Sequence, residues 1–320
     1  MRQVPEYLKS GVAVADAMLP VFRFRARGMP MLMNRRTFLQ TVAAATAVAV
    51  SGSRSLLANP LGLPIGCQTY PVRKTINSDF AGTMKGLAAA GFTQIELCSP
   101  YGYSDFSSLQ QYKPAELRSM INGFGLQCIS AHWGVKELFD KPDESIAYAK
   151  EFGMTQMAVA ALGPFNFTGS ETEDDVKRFV APFNVFAEKA HAAGITALLH
   201  NEGFVSARIN GKPVYDMMIA ELHPVAKLQF QVSTLQQGYD PLVYFPKYSG
   251  RFLSMHCQDW VKDPSTKSGF RQVPVGKGVV DWKAVFAAAG KAGVKNYFVE
   301  LEEDPALMPP SVPYLKSLKV

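Results

Sequence analysis

The chain has 320 residues, 48% hydrophobic, 19% charged and 11% aromatic, which is enough apolar content for a full core and too much for a disordered or fibrous chain. The +6 formal charge comes from one end: residues 1–58 hold eight Lys/Arg against two acids, whereas 59–320 balance 25 basic with 25 acidic residues. A neutral body lacks the electrostatic footprint that supplies most nucleic-acid affinity, so nucleic acid is excluded as a partner.

In chain order, the first feature is Asn34-Arg35-Arg36-Thr37-Phe38-Leu39-Gln40, followed by an uncharged apolar run over 41–50, then Ser51-Gly52-Ser53 and a small residue at Ala58. With its cationic stretch, weakly hydrophobic Ala-rich run and small-residue exit, this resembles a twin-arginine export signal. The run is too short to span a bilayer, which needs about 20 apolar residues. Residues 1–58 are therefore expected to be an N-terminal extension and signal peptide, with Met29, Met31 or Met33 as alternative starts. The expected location is the periplasm, with no stable membrane span after cleavage. Residues 59–320 are expected to form one domain. Cys67, Cys98, Cys128 and Cys257 form no CxxC pair and fall in apolar runs, so buried free thiols are expected.

From residue 59 onward one unit recurs: an Ala-rich helical segment, a glycine, then a short apolar run without alternation. Gly91, Gly125, Gly153, Gly194 and Gly293 mark it. Glycine just past a helix, followed by a strand buried on both faces, is the signature of a step into a parallel sheet. Strands are predicted over 63–70, 95–97, 126–130, 157–161, 196–200, 227–232, 252–256 and 297–300. Helices are predicted over 79–90, 114–124, 143–152, 173–193, 214–222, 240–248, 281–292 and 312–318. Eight βα units of this length fit a closed (β/α)8 TIM barrel. Neither GxGxxG nor GxxxxGK[ST] follows the first strand, which speaks against a nucleotide fold.

In such a barrel the chemistry lies where strands finish. Those positions hold Gln68 and Tyr70, Glu96, His132 and Trp133, His200, Asn201 and Glu202, Gln231, His256, Gln258 and Asp259, and Glu300 with Glu302. Imidazoles and carboxylates that close apolar strands are costly there unless paired or metal-bound. His256 and Glu300, completed by His200, Glu202 or Gln231, are the candidate ligands of a divalent metal: Mn, Mg, Co or Zn. Glu300 and Glu202 are the candidate catalytic pair. His132, Glu96, Asn201, Tyr70 and Trp133 are the candidate substrate contacts. A polar mouth that binds an uncharged ligand by hydrogen bonds alone is the alternative.

These residues resemble the sugar phosphate isomerase/epimerase family with a xylose isomerase-like barrel, in its exported twin-arginine form. The carriers are the stretches 65–70, 91–97, 130–132, 194–201 and 238–252. Met255-His256-Cys257-Gln258-Asp259-Trp260, Val275-Gly276-Lys277-Gly278-Val279-Val280-Asp281-Trp282 and Tyr297-Phe298-Val299-Glu300 complete them. The resemblance implies one divalent metal held by Glu, Asp, His and Glu from strands five to eight, with the two glutamates moving protons beside a carbonyl. His256 matches the histidine and Glu300 the last glutamate. Val205 stands where relatives carry an acid, and Gln231 or Gln229 stands where they carry the sixth strand's aspartate.

The leading expectation is an exported, metal-dependent sugar isomerase or epimerase that abstracts a proton alpha to a carbonyl of a sugar or keto-sugar. The partner is a small carbohydrate, and homo-oligomerisation is left open. No Lys or Arg cluster at the strand ends awaits a phosphate, which favours a neutral sugar. The rival, argued from Gln231 and Val205, is a carbohydrate-binding or accessory barrel that has lost the reaction. An abasic-site endonuclease would need more His and acid ligands and a basic groove.

Overall fold

The glycine-led apolar runs pair as parallel strands, and three more runs close them into a ring. A computed structural model describes residues 59–320 except 164–166, 169 and 204–205. The signal segment and Val205 lie outside the described residues. The barrel strands are β1 (Gly66–Gln68), β2 (Gln94–Cys98), β3 (Gln127–Trp133), β4 (Gln156–Val159), β5 (Thr196–His200), β6 (Lys227–Gln231), β7 (Phe252–Cys257) and β8 (Asn296–Val299). Each pairs with its sequence neighbours, and β1 closes on β8 through Gly66 opposite Phe298 and Cys67 opposite Val299. At that seam a Cβ on Gly66 would come within 2.6 Å of both the Phe298 ring and the Tyr297 carbonyl, so only glycine lets the two strands meet.

The helices are α1 (Arg73–Ser78), α2 (Phe80–Ala89), α3 (Pro114–Gly123), α4 (Val135–Asp140), α5 (Pro142–Phe152), α6 (Glu173–Ala192), α7 (Val214–Glu221), α8 (Pro241–Lys247), α9 (Trp282–Ala292) and α10 (Ser311–Ser317). Their ends carry capping side chains and glycines. Thr172 and Asp175 form a capping box at the start of α6, and Asp281 caps α9. Gly153 and Gly293 end α5 and α9 at φ 88° and 96°, a backbone conformation that favours glycine. The cysteines are all buried and unpaired.

Several boundaries differ from the sequence expectation. β1 is shorter than 63–70 because Tyr70–Val72 turns into a 3-10 helix. β3 runs past residue 130 to Trp133, because its polar side chains Ser130 and His132 point into the barrel rather than marking a strand end. Helix α4, unpredicted, precedes α5. Two short antiparallel ribbons, Arg208–Ile209 with Lys212–Pro213 and Asp259–Lys262 with Phe270–Val273, were also not anticipated. Among the described residues no helix is long and apolar enough to cross a membrane.

Candidate active site in the barrel mouth

Side chains two apart on a strand share a face, so each inward residue at the top of the barrel has an inward neighbour one layer deeper. Ser130 lies beneath His132, Gln229 beneath Gln231 and Ser254 beneath His256. Together with Gln68, Glu96, His200 and Glu300 they fill the upper barrel with polar groups, all of them buried, where most such barrels pack branched aliphatics.

The network is built on Glu96. Its Oε2 lies 2.6 Å from His256 Nε2, 2.8 Å from Gln68 Nε2 and 3.3 Å from His132 Nε2. Its Oε1 accepts from Ser130 Oγ at 2.6 Å and Gln229 Nε2 at 2.9 Å. The other His256 nitrogen, Nδ1, lies 2.9 Å from Glu300 Oε2. That same oxygen accepts from Gln231 Nε2 at 2.7 Å and Gln258 Nε2 at 3.1 Å. All three bonds converge on Oε2, and Glu300 Oε1 takes none among the described residues. His256 is thus clasped between two carboxylates, the more buried of which is Glu96.

Charge follows from this packing. Burial alone would push the His256 imidazole down, but Glu300 and Glu96 outweigh it and hold it up, at about 10. Burial would raise both carboxyls, yet His132 and His256 hold Glu96 well below its usual range, and His256 lowers Glu300. His132 is raised against its burial by Glu96. His200 is pushed well down by burial and the neighbouring imidazoles. Glu202 is raised by burial and by Glu300. Glu302, at the exposed lip, is pushed up to about 8 by desolvation in the mouth and by the charges of Glu300 and Glu202.

A cavity of about 420 Å3 opens above this network. Tyr70, His132, Trp133, Glu202, Glu300 and Glu302 line it, and among the described residues no Lys or Arg does. The predicted contacts Tyr70, His132 and Trp133 and the predicted catalytic pair Glu300 and Glu202 therefore meet there. Glu96 lies below, fully buried and one layer removed from the cavity. Asn201 takes a different part: its Oδ1 accepts the Gln231 backbone N–H at 2.6 Å and its Nδ2 donates to Thr234 Oγ1 at 3.1 Å, so it braces the β6 end and does not line the cavity. Asp259 is likewise structural. Its carboxylate accepts from the backbone N–H of Trp260, Gly276, Gly278 and Val280 and from Trp282 Nε1.

A profile of the xylose isomerase-like TIM barrel family matches residues 85–319. The chain belongs to that family. No curated protein matches it in sequence. Among solved structures, this xylose isomerase-like barrel is similar to a sugar phosphate isomerase/epimerase from Parabacteroides distasonis, with 23% identity, TM-score 0.64 and coverage of 79% of this chain and 93% of that one. It is similar to an L-ribulose 3-epimerase at 16% identity and TM-score 0.58, covering 81% and 87%. It is also similar to an IOLI protein with a bound zinc atom at 14% identity and TM-score 0.58, covering 80% and 95%. At these identities the likeness is one of fold.

The donor set of this xylose isomerase-like barrel suits a cation that favours imidazole. Ring nitrogens of His132, His200 and His256 lie within 4.8 Å of one another. His200 Nδ1 and Gln231 Oε1 are buried with no hydrogen-bond partner among the described residues, a state that costs about 1–3 kcal/mol per group unless something binds there. Of the ligands expected from sequence, His200, His256, Gln231 and Glu300 are close together, whereas Glu202 stands in the cavity wall. His132, expected to touch substrate, joins the imidazole cluster, its ring 5.1 Å from that of His200 and 5.2 Å from that of His256.

Sequence reasoning confined to strand ends missed Ser130 and Ser254 of the deeper layer and named Gln229 only as an alternative to Gln231. The period-two pattern from His132, Gln231 and His256 would have found it. Tyr103, in the loop after β2, also lines the cavity, and nothing in its sequence context marks it.

Proposed function

We propose that this barrel is a carbohydrate isomerase or epimerase that moves a proton on a carbon beside a carbonyl, and that it works in the periplasm after twin-arginine export. The observation that carries the reading is the split among the cavity glutamates: Glu300 is held ionised by His256, while Glu202 and Glu302 are raised towards their neutral forms. Titratable groups whose surroundings push them apart make an acid/base pair. Glu300 is the base, with Oε1 as the oxygen that meets the substrate, since His256, Gln231 and Gln258 all hold Oε2. Glu202 or Glu302 supplies or takes the proton on the other side. Glu96 acts through His256, fixing its orientation and charge.

His132, His200 and His256 are the residues that would hold a divalent cation, and His256 would exchange one of its two carboxylate bonds for it. Zinc and cobalt suit three imidazoles better than magnesium does. Such a cation supplies polarisation of a carbonyl or hydroxyl pair. The cavity's three glutamates, with no Lys or Arg among its described lining residues, favour a neutral sugar over a sugar phosphate.

The test is solvent exchange. In deuterated water with added zinc, cobalt or manganese, one of a panel of neutral aldoses, ketoses and keto-sugars should lose a C–H signal by proton NMR. Glu300→Gln should slow this by about 10²–10⁴-fold. Sugar binding without exchange, unchanged by a chelator, would favour the non-catalytic barrel, a reading that the neutral amides of Gln231 and Gln258 around Glu300 also support.

A further inference from the structure

A second cavity, of about 560 Å3, opens on the same rim, lined by Tyr101, Trp133 and Tyr148 with Lys136, Asp140, Lys141 and Glu144 among its other walls. Trp133 lines both cavities, and Gly134 and Val135, which follow it, line the first. The two spaces therefore flank one short stretch at the top of β3. Hydrogen bonds hold that partition. Glu137 accepts from the Gly134 N–H at 2.6 Å and from Ser99 Oγ at 2.7 Å, and Ser99 Oγ in turn accepts from the Tyr101 N–H at 3.2 Å. One buried serine thus ties the loop that carries Tyr101 to the turn that follows Trp133.

The lining has a definite chemistry. Tyr101 is 61% exposed although its backbone N–H is hydrogen-bonded, and both it and Trp133 meet Tyr148 edge-on. Trp133 Nε1 and Tyr148 OH are buried with no partner among the described residues. Lys136 and Lys141 bring donors and Glu137, Asp140 and Glu144 acceptors to the cavity's walls, and the ion pair Lys141 with Glu144 at 3.2 Å is exposed, so it is worth little and is free to exchange for other bonds. An apolar ligand would leave those charges and the two donors unmatched, and a phosphate would meet Glu137, Asp140 and Glu144. A neutral polyol with an apolar ring face matches both aromatic walls and rim.

We propose that this cavity is a second sugar subsite, taking the neighbouring ring of a glycoside whose reacting ring sits over Glu300. The inference rests on the carbohydrate reading above and narrows its substrate class from a single sugar to a glycoside of at least two rings. Tyr101 is the specificity-determining residue, since it contributes an exposed platform to the second cavity and does not line the first.

The test compares D-glucose with cellobiose, maltose and lactose by saturation-transfer NMR and calorimetry, on the wild-type chain and on Tyr101→Ala and Lys141→Ala. At least one disaccharide should bind tenfold or more tighter than glucose. Tyr101→Ala should reduce that advantage to threefold or less and leave glucose affinity unchanged, and Lys141→Ala should reduce it in part. Both residues are exposed, so loss of fold is not at issue. Glucose binding with no disaccharide advantage, or an advantage indifferent to Tyr101→Ala, would overturn the subsite and leave the carbohydrate reading standing. Failure of every sugar to bind would overturn that reading and the subsite with it.

Discussion

Glu96 and His256 are 160 positions apart in the chain and meet at 2.6 Å, with both side chains fully buried. The contact joins β2 to β7 across the barrel interior, so it holds the fold and the charge of the site together. In Glu96→Gln the His256 side chain loses the acceptor charge while the shape is kept. Removing one partner of a buried pair costs about 3–5 kcal/mol, which should appear as a lower urea midpoint with an unchanged slope. Substrate exchange should fall as well, because His256 would then be less able to hold Glu300 ionised. Unchanged stability would mean that the pair is not formed in solution.

Glu302 gives the expected pH dependence. Its carboxyl is raised from 4.5 to about 8, so it is protonated through neutral pH and loses its proton as the solution becomes more basic. If it is the acid that returns a proton to substrate, the exchange rate should fall as pH rises through about 8, and in Glu302→Gln that limb should vanish. The linkage sign is the raised-acid case: between pH 4.5 and 8 the folded chain keeps a proton that the unfolded chain has lost, so stability declines across that window as pH rises. Glu302→Gln should flatten the decline. Thermal melts at pH 5 and pH 8.5 on both proteins measure it.

The imidazole cluster is tested without reference to activity. Zinc should bind once per chain in a chelator-competition titration, and magnesium far more weakly. His200→Ala and His132→Ala should each weaken zinc at least tenfold, whereas Glu202→Gln, which alters the cavity wall, should leave it within about threefold, the ordinary spread of such effects. A variant pattern in which Glu202 matters and His132 does not would favour the ligand set expected from sequence over the three imidazoles.

The fold was legible because its signals are local. Ala-rich helix, glycine and unalternating apolar run are read from a dozen neighbouring residues, and the steric demand of Gly153 or Gly293 at positive φ is intrinsic to the turn. The site was legible in part. His200, His256 and Glu300 stand at strand ends that the barrel rule singles out. What they do depends on partners chosen by register: Glu96 faces Ser130 on β3, and Gln231 faces His256 on β7. A one-residue slip would turn each of these to the other face, and no short window of sequence fixes such a pairing. Asn201 shows the opposite limit. Its strand-end position suggests a ligand contact, yet the backbone N–H of Gln231 claims it.

Asp259 carries the last prediction. Five donors converge on its carboxylate, and the loop through Gly276, Gly278 and Val280 wraps around it. A Cβ on Gly278 would lie 2.0 Å from Asp259 Oδ1 and 2.5 Å from the Trp260 carbonyl, so the carboxylate and the glycine are a matched pair. Asp259→Asn replaces an acceptor oxygen with a donor that faces other donors, and Gly278→Ala displaces the carboxylate. Each should cost about 2–3 kcal/mol, or roughly 4–6 °C in Tm for a chain of this size. Because both break the same interaction, the double variant should lose distinctly less than the sum of the two, a coupling of about 1 kcal/mol or more. Additive losses would mean that the loop is held elsewhere. Gln258 precedes Asp259 and donates to Glu300 Oε2, so both variants should also slow exchange at saturating sugar while leaving zinc affinity intact.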